Sequence, residues 1–308
     1  MRFSLTLLGT SSAMPQPGRF ASSQVLNVQE RLYLVDCGEG AQMRMSEYDV
    51  RRSKIDQIFI SHLHGDHFFG LPGLITSYGL NDRQTPLDIF SPPGLEEMMR
   101  ALILPPGKGE FSFPVTFHVI DTEQHQLVFE DDLVEVYSIP LTHRIPTTGY
   151  FFIEKTRPRN ILPEKIEQYN IPYQQIPGIK QGADFMLPNG KIILNAELTI
   201  PPPAPRSYAY CSDTRFKEDI VPMIQGVDIL YHEATFLHKD RLNAIETLHA
   251  TAVEAATIAK NSNAGQLIIG HYSSRYKDIN ELVTEARTIF PNTIGGQDGL
   301  MIEIPFQR

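Results

Sequence analysis

Four metal-competent side chains fall within six positions at His62-Leu63-His64-Gly65-Asp66-His67. Imidazole and carboxylate together suit zinc, and also manganese or iron, and no thiolate pair points to a closed structural site. A tight loop at Gly65 can aim alternate side chains at two centres, with His62 and His64 facing one and Asp66 and His67 the other. The alternative, a solvated polar loop, fits poorly here. The run follows the apolar stretch Ile55–Ile60 and leads directly into Phe68-Phe69-Gly70-Leu71. Four side chains cannot complete two metal centres, so further ligands must come from elsewhere.

The elements that would bring them are short β-branched or apolar runs ending in polar residues. Ile55–Ile60 leads to His62, Val134–Ile139 leads through Pro140 towards His143, Tyr208–Cys211 leads to Asp213, and Gln266–Ile269 leads through Gly270 to His271. Four strands therefore deliver His or Asp at or just past their C-terminal ends, where a rigid sheet holds functional loops. Asp213 is the natural bridge between two metals, because a carboxylate has two oxygens. Helical patterns fall between the strands at Leu95–Leu104, Thr251–Lys260 and Asn280–Ile289. The second carries Thr251 and Glu254 at capping-box spacing. Strands followed by helices predict an α/β protein with helix-covered sheets. His118, His125 and His238 have no strand-end placement and read as surface or internally satisfied histidines.

The 308 residues carry a net charge of −9 and are 42% hydrophobic, enough for one large core or two smaller ones. Such acidity excludes a protein that coats nucleic acid through a uniformly basic surface. The charge is nevertheless uneven: Glu154–Arg206 is net +2, leaving −11 for the rest. The same stretch holds nine of the 23 prolines and little periodicity. A long structureless loop inside a compact domain is improbable unless it functions or protrudes. We therefore read 1–308 as one domain with 154–206 as an inserted arm. No run of 18 apolar residues suggests a membrane span, and the N-terminal apolar stretch reads as a first strand rather than a signal peptide. Two cysteines, Cys37 and Cys211, make no disulfide framework and predict reduced thiols in a cytoplasmic protein.

With these residues in place, the chain resembles the metallo-β-lactamase superfamily and, within it, the short form of ribonuclease Z, the tRNA 3′-processing endonuclease. The resemblance runs along nearly the whole length. It is carried by Leu8-Gly9-Thr10-Ser11-Ser12-Ala13, by the extended cluster Ser61–Gly73, by Ser212-Asp213-Thr214 and by His232-Glu233-Ala234-Thr235. It implies an αββα sandwich of two packed mixed sheets flanked by helices, with a protruding arm. It implies two Zn2+ per subunit, with Mn2+ or Fe2+ as alternatives. His62, His64 and His143 would hold the first metal, and Asp66, His67 and His271 the second, with Asp213 bridging. Asp66 would also accept a proton from the metal-bound water, and Glu233 would orient His249 to stabilise or protonate the leaving 3′-oxygen. A helix N-terminus near Thr251 would oppose a charged His249 and Glu233 would favour it. The arm would contact the precursor tRNA substrate, with Lys155, Arg157, Arg159 and Lys180 as phosphate contacts, and the protein would be a homodimer. Two departures stand out. Pro15-Gln16-Pro17-Gly18-Arg19-Phe20 keeps the Pro and Arg of the family's P-x-K-x-R-N but not the Lys and Asn, leaving Arg19 as a further substrate contact. Leu248-His249-Ala250-Thr251 keeps the His of H-S-T and loses the Ser.

The expected activity is a zinc-dependent endoribonuclease that removes the 3′ trailer from precursor tRNA. Metal-bound hydroxide would attack the phosphodiester and leave a 3′-hydroxyl on the tRNA. The alternative is the same site acting on small phosphodiesters. A catalytically dead RNA-binding homologue would have lost ligands, and all seven ligand positions are filled.

Overall fold

A computed structural model describes residues 2–14, 16–105 and 109–306. Two seven-stranded mixed sheets form its framework. The first runs, edge to edge, Met301–Glu303, Phe3–Gly9, Ser23–Val28, Arg31–Cys37, Ile55–Phe59, Leu87–Ser91, Val115–Val119. The second runs Thr293–Gly295, Gln266–Gly270, Ile229–Glu233, Ser207–Cys211, Thr148–Glu154, Val134–Pro140, Leu127–Glu130. The ligand-bearing strand of the first sheet is Ile55–Phe59, the three of the second alternate with Ile229–Glu233 and Thr148–Glu154, and the neighbours joined through helices pair in parallel.

Alternation along single strands makes the layers, because successive strand side chains face opposite sides. Tyr33 and Val35 point into the core between the sheets, while Leu32 and Leu34 face the helical layer outside the first sheet. Tyr208 and Tyr210 face the inter-sheet core, while Ala209 and Cys211 face helices outside the second. Those strands are buried on both sides, which is why they read as continuous apolar runs. The result is helix, sheet, sheet, helix. Among the covering helices, Leu95–Ile103, Ala252–Asn261 and Asn280–Arg287 match the expected stretches. Thr251 caps the second through a complete capping box: its side chain accepts from the Glu254 amide while the Glu254 carboxylate accepts from the Thr251 amide.

The chain divides into two compact units. The sandwich takes residues up to Ile153 and Arg206–Ile304, and Glu154–Pro205 with Pro305 and Phe306 form the other. Arg206, assigned above to the arm, belongs to the sandwich: its guanidinium donates to the Ile304 carbonyl and lies over the Phe3 ring. The second unit is no structureless loop. It holds the short helices Pro163–Tyr169, Ile176–Lys180 and Asn195–Leu198, and two strand pairs of two residues each. A small core of Ile171, Ile179, Phe185, Ile193 and Leu198 supports them.

Candidate metal centre

The loop after Ile55–Phe59 delivers His62 and His64, and a single helical turn at Gly65–Phe68 delivers Asp66 and His67. These come from the first sheet. The second sheet contributes His143 after Val134–Pro140, Asp213 after Ser207–Cys211 and His271 after Gln266–Gly270. Asp213 (φ 59°) and His271 (φ 56°) are in the left-handed region, which turns each side chain off its strand and into the cleft.

Their donor atoms converge in two groups, His62, His64, His143 and Asp213, and Asp66, His67 and His271, and His249 forms a third, overlapping group with Asp213 and His271. His62 Nε2 is 3.1 Å from His64 Nδ1, which is 3.3 Å from His143 Nε2. His67 Nε2 lies 3.4 Å from Asp66, and His271 Nε2 lies 3.6 Å from it. Asp213 reaches both groups. One of its oxygens is 3.7 Å from His62 and 3.3 Å from His271, and the other is 3.1 Å from His67. Donors at about 2.05 Å around a tetrahedral zinc stand roughly 3.3 Å apart, so these spacings match a metal's coordination edges.

Burial and charge give the same answer. His67 Nε2 and His271 Nε2 are fully buried without a hydrogen-bond partner and face the cleft carboxylates, as donors to an ion would. Burial works against a charged His67, yet the carboxylates of Asp213, Asp36 and Asp66 overcome it and hold the imidazole well above its usual range. No arginine or lysine pairs with those three carboxylates among the described residues. A buried acidic pocket lined by imidazoles and without an arginine or lysine fits metal cations.

Asp36 and the part played by Thr235 were not read from the sequence. Asp36, fully buried at φ 56°, accepts from His67 Nδ1 at 2.7 Å, from the Ser61 amide and hydroxyl, and from Tyr210. It fixes the His67 tautomer, as carboxylates behind ligand histidines do. Its only signal is that Leu32–Val35 is an apolar run leading to an acid, like the others. Thr235 links His271 to Glu233, with its hydroxyl 3.0 Å from His271 Nδ1 and 2.5 Å from the Glu233 carboxylate.

Glu233 is buried, accepts from the Thr214 amide, and lies 2.9 Å from His249 Nδ1. Burial opposes charge on His249, but Glu233 outweighs it and raises the group to about 9. The shift is therefore upward rather than balanced. His249 rings lie 4.9 Å from His143 and 5.3 Å from His271. An open pocket of about 460 Å3 joins His64, Asp66, His143, Asp213, His249 and His271.

The remaining expected contacts are placed less simply. Arg19 donates to the carbonyls of Tyr276 and Lys277 and lies over the Tyr272 ring, so its guanidinium is engaged within the fold. Pro15 lies outside the described residues. In the second unit Arg157 pairs with Glu154 and stacks on Phe306, Arg159 donates to Thr199, and Lys180 ends a short helix. Lys155 is half-buried in the same unit. His118 pairs with Asp88, His125 meets the Ser138 carbonyl and His238 meets Thr251, all away from the cleft.

Curated relatives decide the family. Ribonuclease Z of Porphyromonas gingivalis is 48% identical over 98% of this chain and 99% of its own length. That of Bacteroides fragilis is 46% identical over 98% and 99%. The chain belongs to the ribonuclease Z family. Human tRNase Z, short form, superposes with a TM-score of 0.70 at 27% identity, covering 98% of this chain and 100% of that one. A metallo-beta-lactamase fold protein of Bacillus subtilis gives 0.70 at 16% identity, over 98% and 100%, a likeness of fold alone. A family model described as Anti-Pycsar protein Apyc1 matches residues 3–154. This ribonuclease Z family member is thus a metal-dependent hydrolase, and its αββα sandwich is the metallo-β-lactamase fold.

Proposed function

We propose that this chain removes the 3′ trailer from precursor tRNA with two zinc ions, leaving a 3′-hydroxyl on the tRNA. Full-length likeness to ribonucleases Z supports the substrate. The observation that carries the chemistry is the Glu233–His249 pair, placed beside two converging sets of donors. In this reading His62, His64 and His143 would hold one ion and Asp66, His67 and His271 the other, with Asp213 within reach of both groups. The ions supply a water of lowered pKa and positive charge against the phosphate oxygens.

The chain's own groups do the rest. Asp66 has a carboxylate on the pocket wall that can accept a proton from an attacking water. His249, held charged by Glu233, presents its free Nε2 to the departing 3′-oxygen and can donate a proton there. Metal cations in the pocket would oppose that charge. Glu233 acts through His249, and its second oxygen is tied to Thr235. We assign tRNA contact to the 154–205 unit, with Lys155, Arg157, Arg159 and Lys180 as phosphate contacts, and leave out Arg19, whose guanidinium is held by the Tyr276 and Lys277 carbonyls. A homodimer in the cytoplasm completes the reading. Two buried free thiols support that location, and no helix among the described residues is long and apolar enough to cross a membrane.

The test is to incubate the protein, before and after chelation, with precursor tRNAs that carry or lack an encoded CCA and with a chromogenic phosphodiester. Metal-dependent release of a 3′-hydroxyl tRNA is expected. Turnover of the chromogenic ester alone would remove the tRNA assignment and leave a small-phosphodiester hydrolase.

A further inference from the structure

The pocket over the donors does not end at Asp66. Gly65, Asp66, Ser12 and Ala13 also wall a second groove, of about 800 Å3, which runs away from His249. Its far side carries Phe69 and Met43, 60% and 70% exposed, large apolar surfaces facing solvent beside a reaction centre. The Phe69 ring lies against the metal loop. It packs edge-on against Phe68 at 4.9 Å, and it occupies the space that a Cβ on Gly65 would need, 2.3 Å from the ring. Glycine at 65 thus seats this ring at the lip of the metal loop. The opposite wall is equally set: Phe20 lies against Gly40, beneath the Arg44 guanidinium.

The charge in the groove is wrong for a phosphate. Arg19 is spent on backbone carbonyls, while Glu39 is exposed and Asp66 is a carboxylate. An aromatic face with an acceptor at its edge suits a nucleobase, which stacks on a ring and offers N–H donors. Only the pocket shared with His249 can hold the leaving 3′-oxygen, so the groove on the other side of Asp66 falls to the fragment that keeps the phosphate.

We propose that Phe69 is a stacking platform for the first base 3′ of the scissile phosphate, with Met43 completing the apolar face and Glu39 accepting from the base edge. This rests on the RNA-cleaving reading above. A stacked base of this kind contributes about tenfold in affinity.

The test uses the metal-loaded protein and precursor RNAs with 2-aminopurine at either the first trailer position or the last position before the cut. Rapid mixing follows fluorescence before cleavage. Wild type and Phe69→Tyr are expected to quench the trailer probe, and Phe69→Ala to lose the quench. Phe69→Ala should also lower kcat/KM on RNA about tenfold, mostly through KM, while Leu80→Ala, an exposed residue elsewhere, changes neither. Melting curves check that Phe69→Ala is folded, and the Tyr variant separates stacking from bulk. Wild-type cleavage with no trailer quench, or with a quench only at the upstream probe, overturns the platform and leaves the tRNA assignment standing. So does a change of oligomeric state in Phe69→Ala, which would give this face to a second copy. No cleavage of RNA by the wild type overturns both.

Discussion

Asp36 receives four hydrogen bonds in a site with no water-facing surface, and one of them comes from a proposed metal ligand. Asp36→Asn keeps the shape but replaces one acceptor oxygen with a donor. It is expected to weaken metal binding ten- to a hundredfold, measured by competition with a chelator. His249→Ala should behave in the opposite way. It lacks a place among the proposed ligands, so metal content should hold at the wild-type level while single-turnover cleavage falls by a factor of about 10²–10⁴. The seven proposed ligands were legible because their chemistry is unusual for a surface loop and each follows an apolar strand. Glu233 and His249 were legible only through resemblance. Sixteen positions apart, the two are brought together by Thr214, Thr235 and a helix turn, none of which leaves a spacing pattern. Asp36 was not legible because it lies inside the strand Arg31–Cys37 and touches the site only through His67 and Ser61.

At the level of elements, the strongest local signal was the capping box at Thr251, and the helix begins where that signal put it. Thr251→Ala removes the acceptor for the Glu254 amide and a contact to His238. It should cost about 1 kcal/mol in chemical denaturation. By contrast, the helix Arg241–Thr247 ends on Leu248 at φ 58°, where glycine or asparagine is usual. Nothing in the sequence announces that stop. The Leu248 carbonyl accepts from His143 Nδ1, so the same turn that presents His249 also orients a proposed ligand. The short helices of the 154–205 unit were illegible for another reason. Elements of two to seven residues with few buried positions carry too little periodicity to be seen, and nine prolines between Glu154 and Arg206 made the stretch read as irregular.

Across the whole molecule, polar contacts such as Tyr210–Asp36 and Tyr208–Gln24 join the sheets besides the apolar core, and two further connections bear on stability. One is Asp131, in the turn between Leu127–Glu130 and Val134–Pro140. It accepts from Tyr33 at 2.7 Å, from Arg31, and from the Leu133 and Val134 amides. Burial would raise its pKa, but those donors outweigh it and hold the carboxyl below its usual value of 3.8. A depressed carboxylate contributes stability above the unfolded pKa and loses it as pH falls through the folded one. Asp131→Asn should therefore cost about 1 kcal/mol at neutral pH, after screening of its exposed part. The gap to wild type should close below about pH 3.8, which denaturation at a series of pH values would show.

The other connection is the cleft itself. Its donors are divided between the sheets, His62, His64, Asp66 and His67 on one and His143, Asp213 and His271 on the other. An ion held by both is a rivet through the sandwich, and neither half can leave without releasing it. Folding and metal supply then become one equilibrium. The melting temperature should climb with the logarithm of free zinc, about 1.4 kcal/mol of added stability per decade above the dissociation constant for each ion. Calorimetry in metal buffers would read this directly, and a melting point indifferent to zinc would show that the sheets stay together unaided.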